Sequence, residues 1–321
     1  MSNILVTGAA GFIGSTLVDR LLQTESNHVI GLDSFTDYYD PALKRANLAA
    51  ISLDRFELVE EDILEANLSE LIQRVDVIYH LAGQPGVRKS WGTEFGTYVD
   101  QNIVATQLLL EASRIRHNPP RFIYASSSSV YGDAECYPTN ELDRPEPLSP
   151  YGVSKLAAEH LVSLYARNFG LPAVSLRFFT VYGPRQRPDM AFRRFIVDAI
   201  NHIPITVYGD GTQIREFTHV GDIVRGLEMA GNTPVDPGAV INLSGGSSIS
   251  VNEVLAVLEI LLDQPIPVNM VGKVAGDVFR TGGSTEVAQR ILGWSPEIPL
   301  ELGLESEIEW VRLWNHNWTN P

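Results

Sequence analysis

A glycine-rich turn near the start of the chain constrains the fold more than any other feature. Residues 7–14 read TGAAGFIG, directly after the apolar segment 4–6 and at the beginning of a helical pattern. In a strand–turn–helix unit, Gly8 permits the tight turn, Gly11 lets a pyrophosphate approach the backbone, and Gly14 lets the helix pack on the strand. Unpaired amides at the helix N-terminus then favour a phosphate group. The spacing therefore predicts a dinucleotide site.

An acidic residue after the second apolar segment indicates which dinucleotide binds. Asp33 follows the strand-like residues 28–32. A carboxylate in this place can accept hydrogen bonds from both ribose hydroxyls of NAD, and it repels the 2′-phosphate of NADP. Asp62 follows the next strand and either reaches the adenine or serves as a turn residue. We therefore expect NAD as the cofactor.

Strand-like and helical segments alternate through the first half of the chain. The β-rich segments are 4–6, 28–32, 56–59, 75–79 and 121–124, and the helical patterns lie at about 12–23, 41–50, 64–73, 98–116 and 151–169. This alternation predicts an α/β protein with a Rossmann-type, doubly wound parallel sheet. We expect an NAD-binding domain at 1–180, to which about 216–245 returns, and a smaller C-terminal α/β substrate domain at 181–321.

The second half is less regular. Helices are expected at 222–230, 251–262, 286–292 and 301–314, and a strand at 240–243 is expected to return to the first sheet. Trp310, Trp314 and Trp318 recur every four residues, which favours core or interface packing over ligand stacking.

The charge and the cysteine content exclude several classes of function. The chain of 321 residues has a formal net charge of −15, which argues against nucleic-acid and anionic-membrane surfaces. Its single cysteine, Cys136, excludes an internal disulfide and any cysteine-rich metal site. The chain enters a strand almost at once, so we expect no signal peptide, and no apolar run is long enough to span a bilayer. We expect a cytoplasmic protein without a bound metal.

A tyrosine and a lysine at helical spacing follow a serine-rich segment. Residues 125–132 read ASSSSVYG and follow the fifth strand, at the sheet edge where open α/β sheets bind ligands. Tyr151 and Lys155 then lie four residues apart on one face of a helix. A lysine ammonium beside a phenol lowers the pKa of the phenol, and a nicotinamide cation adds to that effect. Such a tyrosine can accept a hydroxyl proton during oxidation by NAD, while a serine orients the same oxygen.

These motifs resemble the extended short-chain dehydrogenase/reductase family, in particular its nucleotide-sugar 4-epimerases. Further matches are HLAGQPGVRKS at 80–90, RFFTVYGP at 177–184 and REFTHVGDIV at 215–224, so that the resemblance covers nearly the whole chain. It implies a tightly held NAD, a UDP-sugar substrate, and a homodimer formed through the helices at 98–116 and 151–169. It also implies that the catalytic hydroxyl belongs to Ser127, with Ser128 as the neighbouring alternative.

The resemblance assigns the other site residues by position. Those implied for the cofactor are Gly8, Gly11, Phe12, Ile13, Gly14, Asp33, Ser34, Asp62, Ile63, Leu81, Ala82, Asn102, Tyr151, Lys155 and Phe179. Those implied for the substrate are Arg88, Ser127, Ser128, Tyr151, Thr180, Arg187, Tyr208, Arg215 and Arg280. Among the latter, Arg215 and Arg280 are expected at the diphosphate and Tyr208 against the uracil, although each can instead be an ordinary surface or core residue.

The residues after the catalytic serine favour epimerisation over two related reactions. Similar 4,6-dehydratases carry an Asp-Glu pair there, because elimination of water needs an acid and a base. Similar UDP-glucuronate decarboxylases carry a glutamate two residues before the matching tyrosine. Ser128 and Ser129 occupy these places here. What remains is oxidation at carbon 4 to a ketone, rotation of the sugar, and return of the hydride to the opposite face.

An arginine cluster indicates which sugar is bound. Residues 182–195 read YGPRQRPDMAFRRF, with four arginines and one acid, and this wording is closest to that of UDP-glucuronate 4-epimerases. We expect Arg187, or alternatively Arg88, to hold the carboxylate at carbon 5 through a bidentate pair. Such a grip also hinders loss of carbon dioxide from the 4-keto acid. Of Arg193 and Arg194, at least one is expected to face solvent or to pair with Asp198.

The sequence thus favours conversion of UDP-glucuronate to UDP-galacturonate. The alternatives are a 4-epimerase for UDP-glucose or UDP-N-acetylglucosamine, and a UDP-glucuronate decarboxylase. A non-catalytic NAD-binding protein is a further alternative, but the presence of Tyr151, Lys155 and Ser127 argues against it.

Overall fold

The structure is a computed structural model that describes residues 2–134, 136–272 and 280–318. The end of the predicted second domain, 319–321, lies outside these residues, and so does the side chain of Trp318. The strands are β1 (Ser2–Thr7), β2 (Asn27–Leu32), β3 (Phe56–Val59), β4 (Val77–His80), β5 (Arg121–Ser127), β6 (Ala173–Phe178), β7 (Thr180–Tyr182), β8 (Ile205–Tyr208), β9 (Ile214–His219), β10 (Ala239–Leu243), β11 (Ser247–Ser250) and β12 (Val268–Val271).

The helices follow the predicted pattern closely. They are α1 (Phe12–Leu22), α2 (Pro41–Leu48), α3 (Leu68–Gln73), α4 (Phe95–Tyr98), α5 (Ala105–Arg114), α6 (Pro150–Phe169), α7 (Ala191–Ile200), α8 (Val220–Asn232), α9 (Val251–Leu262), α10 (Glu286–Leu292) and α11 (Leu300–Trp318). A π-helical turn at Val99–Val104 joins α4 to α5.

The central sheet has seven strands in the order β10-β6-β5-β4-β1-β2-β3, and every neighbouring pair is parallel. The predicted α/β class with a parallel, doubly wound sheet is therefore confirmed. The strand order reverses between β1 and β4, which opens a crevice at the carboxyl edge where ligands bind in such sheets. Strand β10 pairs with β6, as expected for a segment that returns to the first sheet.

Two small sheets build the second unit. Strands β11, β9 and β7 form one of them, and β12 pairs with β8 in the other. Of the segment predicted to return to the first unit, α8 packs on α1, but β9 belongs to the three-stranded sheet. A separate apolar cluster joins α7, α9 and α11 to these strands, so the second unit has its own core.

Both ends of α6 are set by local sequence. The side chain of Ser149 caps the helix by accepting a hydrogen bond from the backbone N–H of Gly152, and Pro150 occupies the first turn. Gly170 ends the helix at φ 68°, a left-handed conformation that glycine adopts without strain. The helix therefore begins at the sheet edge and carries Tyr151 in its first turn.

Within the described part of the chain, no helix combines the length and the apolar character needed to cross a membrane.

Trp310 and Trp314 of α11 contribute to packing, as the spacing predicts. Trp310 lies against the core of the second unit, and its ring centroid is 5.5 Å from that of Trp314. The guanidinium of Arg193 lies 5.0 Å from the centroid of the Trp310 ring. Arg194, its neighbour, is exposed, in agreement with the expectation that at least one of the two faces solvent.

A buried glutamate connects α11 to the start of the arginine segment. Glu307 is fully buried, and its Oε2 accepts a hydrogen bond of 2.9 Å from the backbone N–H of Gly183. Its Oε1 has no partner among the described residues. Burial raises the pKa of Glu307 to about 8, although the Gly183 amide and the charge of Arg193 oppose the shift.

This pKa makes the stability of the protein depend on pH. Because the pKa of Glu307 is higher in the folded than in the unfolded state, its contribution is fully present below about pH 4.5 and is lost as pH rises through about 8. A glutamine side chain cannot ionise, so we expect the Glu307→Gln variant not to lose this stability. The difference in free energy of unfolding between the variant and wild type should therefore shift in favour of the variant by at least about 1 kcal/mol from pH 5.5 to pH 8.5. Urea unfolding of the protein at the two pH values measures the gain. The exposed Glu309→Gln is the control, and parallel pH curves for wild type and Glu307→Gln would contradict the prediction.

Candidate active site

A groove lies along the carboxyl edge of the central sheet, with an open volume of about 1210 Å³. Its walls come from the ends of β1, β2, β4, β5 and β6, from the loops after them, and from the first turns of α6. The residues implied for the cofactor that line it are Gly8, Gly11, Phe12, Ile13, Gly14, Asp33, Ser34, Ile63, Leu81, Ala82, Asn102, Tyr151 and Lys155. The structure thus brings together residues that are far apart in the sequence.

Two residues implied for the cofactor lie beside the groove rather than on its wall. Asp62 accepts hydrogen bonds from the backbone N–H of Leu64 and from the side-chain amide of Gln101, so it acts as a turn residue that holds a groove residue in place. Phe179 packs against Tyr131 with ring centroids 6.2 Å apart, and the preceding residue, Phe178, lines the groove.

The phosphate end of the groove is open at the N-terminus of α1. Gly11 caps the helix without a side-chain hydrogen bond, and no acidic residue lies in the first turn. A side chain at Gly14 is excluded, because its Cβ would lie 2.0 Å from the carbonyl oxygen of Gly8. The helix amides therefore remain available to an anion, as the fit of a dinucleotide pyrophosphate requires.

The end of the groove beside Asp33, where a ribose is predicted to bind, contains a lysine that is not predicted from the sequence. Asp33 is buried and accepts hydrogen bonds from the backbone N–H groups of Ala10 and Phe35 and from the ammonium of Lys44, at 3.0, 2.9 and 2.9 Å. With three of about four acceptor sites used, Asp33 can accept about one further hydrogen bond. The carboxylate that is predicted to accept from the ribose hydroxyls is therefore shared with three donors of the protein. Lys44 lines the groove beside it and adds donors.

The three residues implied for catalysis converge at the end of β5. Tyr151 and Lys155 line the groove, and the hydroxyl of Ser127 lies within hydrogen-bonding range of the Tyr151 phenol. Ser127 also accepts a hydrogen bond of 3.1 Å from the backbone N–H of Ser129. Ser128 occupies the short 3₁₀ turn that follows. Of the two serines, Ser127 is therefore the one whose hydroxyl lowers the pKa of the phenol.

Burial dominates the acid–base properties of this pair. It raises the pKa of Tyr151, whereas the hydrogen bond from Ser127 and the charge of Arg187 lower it. Burial also lowers the pKa of Lys155 to about 7, which the carboxylate of Glu159 opposes. Desolvation disfavours the phenolate, so the lowering of the phenol pKa by positive charge that the sequence predicts acts against burial. Ionisation of Tyr151 therefore depends on nearby positive charge.

A buried ion pair links α6, which carries Tyr151 and Lys155, to the central sheet. Glu159 continues the spacing of Tyr151 and Lys155 along α6, and its carboxylate accepts two hydrogen bonds from Arg177 on β6, at 2.9 and 2.6 Å. It accepts a third, at 2.6 Å, from the hydroxyl of Ser126 at the end of β5. Neither charged residue is identified from the sequence, although the four-residue repeat on α6 is a usable signal for Glu159.

The π-helical turn connects a groove loop to α6. The side-chain amide of Asn102 donates hydrogen bonds to the hydroxyl of Ser154 at 2.9 Å and to the carbonyl of Gln84 at 3.1 Å. Its oxygen accepts from the backbone N–H of Gln84 at 2.7 Å. π-turns are frequent at functional sites, and this one holds the loop at 83–86 against the helix that carries Tyr151.

The arginine cluster separates into residues with different contacts. Arg187 lines the groove and is close enough to Tyr151 for its charge to lower the pKa of the phenol. Arg185 pairs instead with Asp19 of α1 at 2.6 Å. Arg193 donates to the backbone carbonyl of Gln186 at 2.8 Å. Among these described arginines, Arg187 is therefore the one that lines the groove beside Tyr151.

The residues implied for the nucleotide lie at the second unit. The guanidinium of Arg88, which belongs to the first unit, lies 4.7 Å from the ring centroid of Tyr208 at the end of β8, so Arg88 contacts the predicted uracil-binding residue. Arg215 is on β9, and a β-bridge pairs its neighbour Ile214 with the exposed Arg280. The half-buried Thr180 begins β7 and pairs with Phe217.

Comparison with known proteins identifies the class. The profile of the NAD dependent epimerase/dehydratase family matches residues 4–244, and the chain belongs to this family. The predicted resemblance to the extended short-chain dehydrogenase/reductase epimerases is therefore confirmed.

Individual relatives are similar over the full length. The chain is 43% identical over 309 residues to the uncharacterized UDP-glucose epimerase YtcB of Bacillus subtilis, covering 96% of this chain and 97% of that protein. It is 36% identical over 317 residues to the UDP-glucuronate 4-epimerase of Thermodesulfobacterium geofontis, covering 97% of each. The crystal structure of UDP-glucuronic acid 4-epimerase from Bacillus cereus, in complex with UDP-glucuronic acid and NAD, superposes with a TM-score of 0.93 at 44% identity. That match covers 97% of this chain and 99% of that chain.

The contact between Ser127 and Tyr151 generates a prediction. We expect Ser127→Ala to lower kcat at least about 100-fold, because it removes the hydroxyl that orients the reacting oxygen beside the phenol. Ser128→Ala is the matched control and is expected to lower kcat less than about tenfold, since the phenol pairs with Ser127. Steady-state kinetics with UDP-glucuronate at equal NAD content measures both, and a larger loss in Ser128→Ala than in Ser127→Ala would contradict this assignment.

Proposed function

We propose that this chain is an NAD-dependent 4-epimerase that interconverts UDP-glucuronate and UDP-galacturonate. The observation that carries the proposal is the position of Arg187, which lines the same groove as Tyr151 and interacts electrostatically with its phenol. A guanidinium here meets a carboxylate on the sugar carbon next to the reacting one. The full-length similarity to UDP-glucuronate 4-epimerases from two organisms supports this choice.

The first unit, 1–180 with the returning α8 and β10, holds NAD. The open N-terminus of α1 binds the pyrophosphate, and Asp33 with Lys44 binds the adenosine ribose. When bound, NAD supplies a reversible hydride acceptor for carbon 4 of the sugar and a positive charge near the phenol. The residues of the groove fit this cofactor in shape and in charge.

Side chains of the protein perform the proton transfer and hold the sugar. Tyr151 accepts the proton of the carbon-4 hydroxyl and later returns it, and Ser127 orients that oxygen. Lys155, one helical turn after Tyr151, supplies positive charge in its protonated form, which the carboxylate of Glu159 favours. Arg187 holds the carboxylate near the plane of the carbon-4 ketone, which hinders its loss as carbon dioxide. Neither Ser128 nor Ser129 supplies the carboxylate that elimination needs.

The second unit, 181–321, anchors the nucleotide while the sugar turns. Arg215 and Arg280 contact the diphosphate, and Tyr208, with Arg88 on its ring, contacts the uracil. Epimerisation requires that the ketone present its other face to the same cofactor, so the binding energy must come from parts of the substrate that do not rotate. Placing these residues away from Tyr151 meets that requirement.

The second candidate is a 4-epimerase for a neutral UDP-sugar such as UDP-glucose or UDP-N-acetylglucosamine. The similarity to a protein named as a UDP-glucose epimerase favours it. UDP-glucuronate decarboxylation is a third possibility, which the absence of a glutamate at 129 opposes.

Proton NMR of parallel incubations with UDP-glucuronate and UDP-glucose separates the three reactions. We expect UDP-galacturonate to form, with little UDP-xylose and a much slower reaction of UDP-glucose. Turnover of UDP-glucose alone would support the second candidate, and accumulation of UDP-xylose would support the decarboxylase.

Replacement of Arg187 tests the carboxylate contact. We expect Arg187→Ala to lower kcat/KM for UDP-glucuronate about 100-fold or more, corresponding to the loss of a charge-assisted bidentate pair, and to affect UDP-glucose much less. Arg194→Ala, an exposed arginine of the same segment, is the control and is expected to resemble wild type. Equal losses on both sugars would show that Arg187 serves the diphosphate or the fold instead.

We also propose that the enzyme is cytoplasmic and has no nucleic-acid or membrane partner, in keeping with its net charge of −15.

We further propose a homodimer that forms through α5 and α6. Exposed apolar side chains on and beside these helices support the dimer, since large exposed apolar patches mark interfaces: Ile115 (60% exposed), Leu164 (52%), Phe169 (55%) and Val153 (45%).

Sedimentation equilibrium tests the dimer. We expect wild type to sediment as a dimer and Leu164→Glu as a monomer, because a buried charge without a partner opposes association. Leu302→Glu, an equally exposed apolar position on α11, is the control and should remain dimeric. A monomeric wild type would refute the proposal.

A further inference from the structure

Arg187 is already paired along one edge of its guanidinium. Its Nε and Nη2 atoms donate to Oδ1 and Oδ2 of Asp189, each at 3.0 Å, which is a bidentate ion pair. The side chains are 22% and 35% exposed, so the pair is partly shielded from solvent. Asp189 is the single acidic residue of the arginine segment, residues 182–195. The proposed reaction does not use it directly.

The acid is held from the cofactor side of the groove. The hydroxyl of Tyr38 donates to Oδ2 of Asp189 at 3.4 Å, and Tyr38 lines the groove in the loop that follows Asp33. The ammonium of Lys89 lies 4.5 Å from the centroid of the Tyr38 ring. Asp189 is therefore the point at which the arginine segment meets two loops of the NAD-binding unit.

The occupied edge determines which part of Arg187 can meet a substrate. A guanidinium is planar and presents two edges that match a carboxylate, the Nε–Nη2 side and the Nη1–Nη2 end. Because Asp189 takes the first edge, the end remains for a carboxylate in the groove. The charge of Arg187 is also largely balanced by Asp189, so a bound carboxylate is recognised by directed hydrogen bonds more than by net charge.

We propose that Asp189 is a positioning residue for the carboxylate of the sugar. It fixes the plane of the Arg187 guanidinium so that the Nη1–Nη2 end faces the carbon-5 carboxylate, and it thereby determines both selectivity for a carboxylated sugar and retention of that carboxylate. The inference rests on the proposed function, since it assigns a device that serves the same reaction.

The amount of decarboxylated product measures whether the carboxylate of the 4-keto acid is held in place. In the 4-keto acid, breaking the bond between carbons 5 and 6 releases carbon dioxide, and its electron pair forms the enolate of the ketone, which takes up a proton at carbon 5. This requires the carboxylate to turn out of the plane of the ketone. A guanidinium fixed in one orientation opposes that turn, whereas one that can rotate about its side chain does not.

An alternative role for Asp189, competition with the substrate carboxylate for Arg187, predicts the opposite effect of its removal. If Asp189 merely occupies Arg187 until the substrate carboxylate displaces it, the acid competes with substrate. Its removal then frees the full charge of Arg187 and tightens binding. The positioning role instead predicts a slower and less faithful reaction.

The test compares Asp189→Asn and Asp189→Ala with wild type, each with NAD bound. We measure kcat and KM for UDP-glucuronate, the inhibition constant of UDP-glucose, and the share of decarboxylated product by proton NMR. We expect kcat for UDP-glucuronate to fall at least about tenfold, the decarboxylated share to rise severalfold, and the inhibition constant of UDP-glucose to change less than about twofold. Tyr38→Phe should shift the same quantities in the same direction, by less.

Asp198→Asn, an acid on the following helix α7, is the matched control and should resemble wild type. A lower KM with unchanged kcat in Asp189→Asn would overturn the positioning role in favour of competition. Equal losses for both sugars without additional decarboxylation would show that Asp189 only supports the fold. Failure of the wild-type protein to convert UDP-glucuronate would overturn the proposed function together with this inference, whereas the two preceding outcomes would overturn the inference alone.

Discussion

The buried pair of Glu159 and Arg177 is the interaction on which the geometry of the active site depends. It joins α6 to β6 and, through the hydroxyl of Ser126, to the end of β5, with both charged side chains at most 4% exposed. Such a pair adds little net stability, because desolvation of the two charges offsets their attraction, but loss of one partner costs about 3–5 kcal/mol. The pair instead fixes the position of α6 relative to β5 and β6. The hydroxyl of Ser127 and the phenol of Tyr151 lie on the two elements that it joins.

The same arrangement of a cation beside an acid recurs along the groove. Lys44 pairs with Asp33 at the ribose end, and Arg187 pairs with Asp189 at the sugar end. An acidic protein with a net charge of −15 therefore does not expose a positive surface to its anionic ligands. Its groove presents cations whose charge is balanced by an ion pair, and we propose that the direction of their free donors selects the ligands. Lys155 differs, because it is buried and its pKa is lowered to about 7.

Local patterns predict the parallel sheet, most helices, the glycine turn, Asp33 and the pair of Tyr151 and Lys155, because glycine spacing and helical periodicity act over a few positions. The remaining groove residues are implied by the family resemblance. Strand β6 is not predicted from its sequence, since the buried Ser175 and Arg177 interrupt its apolar run. The contributions of Lys44 and Asp189 could not be predicted, because their partners are set by tertiary packing. The raised pKa of Tyr151 likewise follows from burial, which the sequence does not reveal.

We propose that the chemistry takes place at carbon 4 alone, while the neighbouring carboxylate is held in place. Conversion of UDP-glucuronate in ²H₂O, followed by NMR and mass spectrometry of the product, tests it most directly. We expect UDP-galacturonate that carries protium at both carbon 4 and carbon 5, since the hydrogen at carbon 4 is returned and the bond at carbon 5 is not broken. Deuterium at carbon 4, or a product inverted at carbon 5, would show that solvent protons enter the reaction and would rule out this mechanism.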